Sequence, residues 1–274
     1  MRFSKTSTGQ FLAGSTDAND QQAFLKNLSV AIAQNELCLH YQPRYDLLTG
    51  KASVLEALAR WQRPSVGLLY PETFITAAEQ HGLIFQLDLW VFEQSCKDLI
   101  WFRENLDASI KLSVNISALS CESVYFSQKL IELCKKHQLS LSDFVLEITF
   151  SQHVNDIRKV KAFCETLGNF GAQFCLDDFG TGQSPLINLY ELPVNNVIID
   201  RAFIENIAQS KRSESIIKHI VALTKDLGIK TVAECVEKQY QYKFISEICC
   251  DQIQGHLMQR PVGRERLKTA MLSL

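Results

Sequence analysis

The stretch Phe144-Val145-Leu146-Glu147-Ile148-Thr149 decides the fold. It is short, mostly apolar and partly β-branched, as expected of a parallel strand covered by helices. Working outward, similar runs fall at 37–46, 52–60, 110–116, 173–178, 196–200, 230–235 and 252–257. Helical patterns lie between them near 21–35, 85–105, 122–138, 154–169, 211–227 and 238–248, with a last helix after Arg264. Only Leu47-Leu48-Thr49-Gly50 separates the first two runs. That gap is too short for a crossover helix and predicts a hairpin, so one strand opposes the rest. Eight strands with intervening helices predict an α/β fold, a modified TIM-like (β/α)8 barrel with one antiparallel strand. Spacing alone leaves an open doubly wound sheet as the alternative.

A chain of 274 residues, 46% hydrophobic and 21% charged, has the size and composition of one globular barrel domain. No linker or composition shift marks a second domain, so 21–274 is expected to be a single unit behind a mobile, polar tail at 1–20. The tail lacks the apolar core of a signal peptide, and no attached sensor domain is expected. There is no run of 18 apolar residues, so no membrane partner is expected. A net charge of −2 without a long basic run predicts no nucleic-acid partner. Lys135-Lys136 and Lys211-Arg212 are expected to be solvated helix faces. Nine cysteines, with no CxxC pair, point to reduced, mostly buried thiols and a cytoplasmic protein. His40, His81, His137, His153, His219 and His256 are scattered, without the spacing of metal ligands.

The chemistry concentrates at the strand ends. Nearly every expected strand closes on a polar or acidic residue: Gln42, Glu56, Asn115, Glu147, Asp177-Asp178, Asp200, Glu234 and Gln254. In α/β barrels the carboxyl ends of the strands open onto the active site. Any one such acid could simply cap a helix, but carboxylates converging from many strands repel unless a cation neutralises them. An oxygen-only donor set points to Mg2+, Mn2+ or Ca2+ rather than zinc.

These residues resemble a known family. Glu56-Ala57-Leu58, followed by Arg60-Trp61, is similar to the signature of EAL domains, the cyclic di-GMP phosphodiesterases. The likeness extends over nearly the whole chain after residue 20. It runs through Tyr41-Gln42-Pro43, Asn115-Ile116-Ser117, Leu146-Glu147-Ile148-Thr149, Asp177-Asp178-Phe179-Gly180-Thr181-Gly182, Ile199-Asp200-Arg201, Ala233-Glu234, Val236-Glu237 and Gln254-Gly255 ahead of Arg260-Pro261. The resemblance implies that Glu56, Asn115, Glu147 and Asp177 hold one metal, Mg2+ or Mn2+, with Ca2+ a non-productive occupant. Asp178 would help hold a second ion, and Glu234 would belong to the catalytic centre. It also implies that Gln42, Leu58, Arg60, Asp200, Glu237 and Gln254 contact cyclic di-GMP.

Two departures from the family pattern bear on turnover. The family's Lys-Ile-Asp is here Ile198-Ile199-Asp200, which removes the amine thought to position or activate the attacking water. The family's Leu-Glu-x-Thr-Glu ends here in Phe150, removing a glutamate expected to brace the loop after Asp178. That loop also carries Gln183 for tyrosine and Pro185 for serine, and Cys235 replaces a glycine. The leading expectation is a degenerate EAL domain that binds cyclic di-GMP as a signalling receptor. An active phosphodiesterase giving the linear dinucleotide and a ligand-independent protein-interaction module remain open, as do a regulator partner and a homodimer.

Overall fold

The computed structural model describes residues 18–272, apart from 35, 65, 151–155 and 181–184. Nine strands form the sheet: β1 (Leu37–Asp46), β2 (Ala52–Arg63), β3 (Gly67–Leu69), β4 (Lys111–Ser117), β5 (Phe144–Thr149), β6 (Gln173–Phe179), β7 (Asn196–Ile199), β8 (Lys230–Ala233) and β9 (Gln252–Ile253). Their order is β1-β9-β8-β7-β6-β5-β4-β2-β3, and a β1–β2 pairing closes the ring. The closed barrel therefore contains eight strands, with β3 an outer addition on β2. Neighbours from β2 through β4 to β9 are parallel, whereas β1 is antiparallel to both β2 and β9. The expected fold and its single reversed barrel strand are both present.

The hairpin fixes the register that matters most. Asp46 accepts backbone N–H bonds from Leu48 and Thr49 at 3.1 and 2.8 Å, and Gly50 turns the chain with φ +69°. The register that follows sets Gln42 opposite Glu56 and Arg44 opposite Val54. Outside the barrel, aromatic side chains fill the layer between strands and helices. Phe144 packs on Phe92 with ring centroids 4.8 Å apart, and both are fully buried.

Several boundaries move. The first helix, Ala18–Ala33, begins before the expected tail ends, while residues 1–17 lie outside the described residues. β7, β8 and β9 stop at Ile199, Ala233 and Ile253, so Asp200, Glu234 and Gln254 stand just beyond their strands. The three-residue β3 and the helices Ile75–Gln80 and Pro185–Glu191 are too short to show a period. All nine cysteines are free thiols, six of them buried. No helix among the described residues is long and apolar enough to cross a membrane.

Candidate metal and ligand site

Inside the barrel, one side chain from each of β5 to β8 builds an apolar layer: Val145, Cys175, Ile198 and Val232, all at most 3% exposed. Two residues further along each chain segment stand Glu147, Asp177, Asp200 and Glu234. The two-residue period of a strand places a dry floor directly beneath an acidic mouth. Ile198 belongs to that floor, inward-facing and 1% exposed.

Glu56, Glu147 and Glu234 each bring a carboxylate oxygen within 4.8 Å of the others. Glu56 accepts from Asn115 Nδ2 at 2.7 Å and also from Gln254 Nε2. Gln254 Nε2 reaches Gln42 Oε1 at 3.1 Å, and Gln42 donates to the Gln259 carbonyl at 2.8 Å. Glu147 takes a bond from Ser113 Oγ and one of 2.6 Å from Arg44 through the same oxygen, Oε1. Its second oxygen, Oε2, is buried without a hydrogen-bond partner. An orphaned carboxylate oxygen is costly unless a cation uses it. With the Asn115 amide beside it, the oxygen donor set fits a hard divalent ion.

Crowding raises the pKa values of these acids. Burial, then Glu147, pushes Glu56 up to about 7, against the pull of Arg44. Burial followed by Glu56 lifts Glu234 well above the carboxylate range, and burial followed by Asp178 does the same for Asp177. Asp178, exposed as a residue but with its carboxyl partly sheltered, rises to about 6 through that loss of water and then through Asp200.

The sequence reading placed Asp177 in the first metal set and Glu234 apart. In the structure Glu234 completes the tight carboxylate group. Asp177 stands next to it, close enough to feel Glu147 and Glu56, and its Oδ2 accepts from Thr149 at 3.3 Å. Asp178 is exposed and left-handed, with φ +51°. Asp200 caps the helix Arg201–Glu205 by accepting from Ala202 N at 2.6 Å, a structural task besides the ligand contact expected of it.

Arg60 lies on the same face of β2 as Glu56 and Leu58, four and two residues away. It is 5% exposed, its guanidinium sits 4.9 Å over the Tyr70 ring, and its Nε has no partner. Leu58 is half-buried, and Glu237 Oε1 is 3.2 Å from His256 Nδ1. Phe150 packs against the main core. Gln183 lies outside the described residues, and Pro185 opens its helix. Cys235 has φ +55°, which explains the glycine usual there, and burial pushes its thiol up to about 12, a packing group rather than a thiolate.

Sequence reasoning missed Arg44. It is two residues from Gln42 on the same inward face of β1, so strand alternation was the available signal.

A closed barrel with clustered carboxylates above an apolar floor defines the class: an α/β barrel with an acidic mouth that could hold a divalent ion. The chain belongs to the EAL domain family, whose description matches residues 25–261. It is 35% identical over 259 residues to the bifunctional diguanylate cyclase/cyclic di-GMP phosphodiesterase MucR of Pseudomonas aeruginosa, covering 94% of this chain and 38% of that protein. It is 35% identical over 237 residues to the cyclic di-GMP phosphodiesterase NbdA of the same organism, covering 86% of this chain and 30% of the relative. The chain thus spans about a third of the length of these relatives. Among solved structures, a MucR phosphodiesterase complex with cyclic di-GMP superposes with TM-score 0.83 at 35% identity, covering 89% of this chain and 99% of that one. The EAL enzyme Bd1971, bound to cAMP and cyclic di-GMP, gives 0.86 at 28% identity, covering 93% and 70%.

Proposed function

We propose that this EAL domain binds cyclic di-GMP as a cytoplasmic signalling receptor and hydrolyses it weakly or not at all. The observation that carries this reading is the asymmetry of the mouth. The carboxylate cluster and Arg60 are retained, while position 198 offers only an alkyl chain packed on Val145, Cys175 and Val232. An isoleucine has no proton to give or take and no dipole to orient water, and losing such a group costs about 10²–10⁴-fold in rate. Binding groups persist when rate-enhancing groups are lost.

Glu56, Asn115, Glu147, Glu234 and Asp177 would hold Mg2+ or Mn2+, with Asp178 supporting a second ion. A bound divalent ion would supply charge neutralisation at a phosphodiester. Arg60, with one donor unpaired, would hold a phosphate oxygen. Gln42 and Gln254 would orient the ligand edge from below, and Leu58, Asp200 and Glu237 would line the rim. Leu186, Ile187 and Tyr190 stand exposed on Pro185–Glu191, which supports a homodimer or regulator contact there.

Calorimetry with cyclic di-GMP in Mg2+, Mn2+ or Ca2+, paired with chromatography for the linear dinucleotide, tests the reading. The expected result is saturable binding with little product. Rapid conversion would make the chain an active phosphodiesterase, and absence of binding would leave a ligand-independent module.

A further inference from the structure

Arg44 carries the one formal positive charge seen in contact with the acid cluster among the described residues. It is 1% exposed, so its whole side chain is inside the barrel. Its guanidinium reaches Glu147 Oε1 at 2.6 Å, Gln254 Oε1 at 3.2 Å and Glu234 Oε1 at 3.8 Å. A single residue of β1 thereby ties together groups from β5, from the end of β8 and from the end of β9. It contacts only one oxygen of Glu147 and leaves the other bare.

We propose that Arg44 is a built-in counter-cation, a positioning residue that keeps the acidic mouth assembled before any divalent ion arrives. This rests on the metal reading above. Three carboxylates within 4.8 Å must spread apart, bind protons or find a positive charge. Guanidinium is suited to that task because it stays protonated even when buried, and its planar fork fixes direction as well as charge. Lysine could shed its proton in the same setting. The arrangement holds Glu147 by one oxygen and leaves the other without a protein partner.

An ordinary buried ion pair would support the fold equally with or without metal. A counter-cation would not, because a divalent ion can take over its electrostatic task. The test is the melting temperature of wild type, Arg44→Met and Arg44→Gln in EDTA and in saturating Mn2+, with Mn2+ affinity by calorimetry. Both neutral variants should melt well below wild type in EDTA. They should recover most of the loss in Mn2+, so that the Mn2+-induced rise is at least about twice that of wild type. Arg44→Lys, whose amine can shed its proton here, should show a rise between wild type and the neutral variants. Equal losses with and without Mn2+, or failure of both neutral variants to fold even in Mn2+, would overturn the proposal while leaving the metal reading intact. No Mn2+ binding to wild type overturns both.

Discussion

On the side of the mouth built by β2, β4 and β5, both glutamates are held by hydrogen-bonding neighbours. Glu56 is bonded by Asn115 and Gln254, and Glu147 by Arg44 and Ser113. Across the barrel, on the β6–β7 side, Asp178 is exposed and left-handed, Asp200 is engaged as a helix cap, and Ile198 packs in the apolar floor. Cys235, just past β8, repeats the left-handed backbone. The carboxylates of the first side are held in place by hydrogen bonds before any ligand arrives. The second side carries Ile198, where the sequence departs from the family pattern. Under the proposed function, recognition and turnover would be separable within one barrel mouth, because different strands would carry them.

The sharpest way to break this comparison is to repair the altered side. Ile198→Lys combined with Phe150→Glu should raise the rate of linear-dinucleotide formation by about 10²-fold or more. Single-turnover chromatography in Mn2+ checks this. The variant should also melt lower in EDTA, since Ile198 is 1% exposed within an apolar layer. No gain in rate would place the lesion elsewhere.

The next effect targets the assembled side. Glu56→Gln keeps the shape and removes one charge from the cluster, and Mn2+ affinity should fall by about 100-fold, at or beyond what outer-shell losses cost. Calorimetry measures it. An unchanged affinity would mean that Glu56 is no ligand.

A smaller effect comes from pH. Glu56 is raised from 4.5 to about 7 and Asp178 from 3.8 to about 6, so the folded protein retains protons that the unfolded chain has released. Metal-free stability should therefore fall as pH rises above about 4. A divalent ion competes with those same protons. Its stabilising shift in melting temperature should accordingly be larger near pH 8 than near pH 6. A shift independent of pH would contradict the crowding described here.

The smallest expected change is Cys235→Gly. It relieves a left-handed non-glycine backbone and should stabilise by about 1 kcal/mol, measured as a higher denaturation midpoint at unchanged slope.

Much of this was legible beforehand, for reasons that can be named. Phe144–Thr149 has its expected bounds because an apolar β-branched run between polar ends permits little else. The hairpin followed from a connection too short for any helix. The acids of the mouth were legible because strand ends converge in a barrel whatever the side chains. What escaped depends on three-dimensional pairing. Arg44 could be assigned to the inward face by alternation, but its bond to Glu147, 103 residues away, follows from closure. Whether Glu234 or Asp177 completes the closest carboxylate group depends on stagger between strands, which a sequence does not carry. β3 is three residues long, below the length at which a period can be detected.

The reversal of β1 also has a practical side. Because β2 and its parallel neighbours start at the end of the barrel opposite the mouth, the Leu47–Gly50 turn lies on the underside, and Leu48 there is 95% exposed. Fluorophores, affinity handles or inserted peptides attached at Leu48 would project away from the ligand entrance. The hairpin is thus a natural place to instrument the domain without obstructing what it binds.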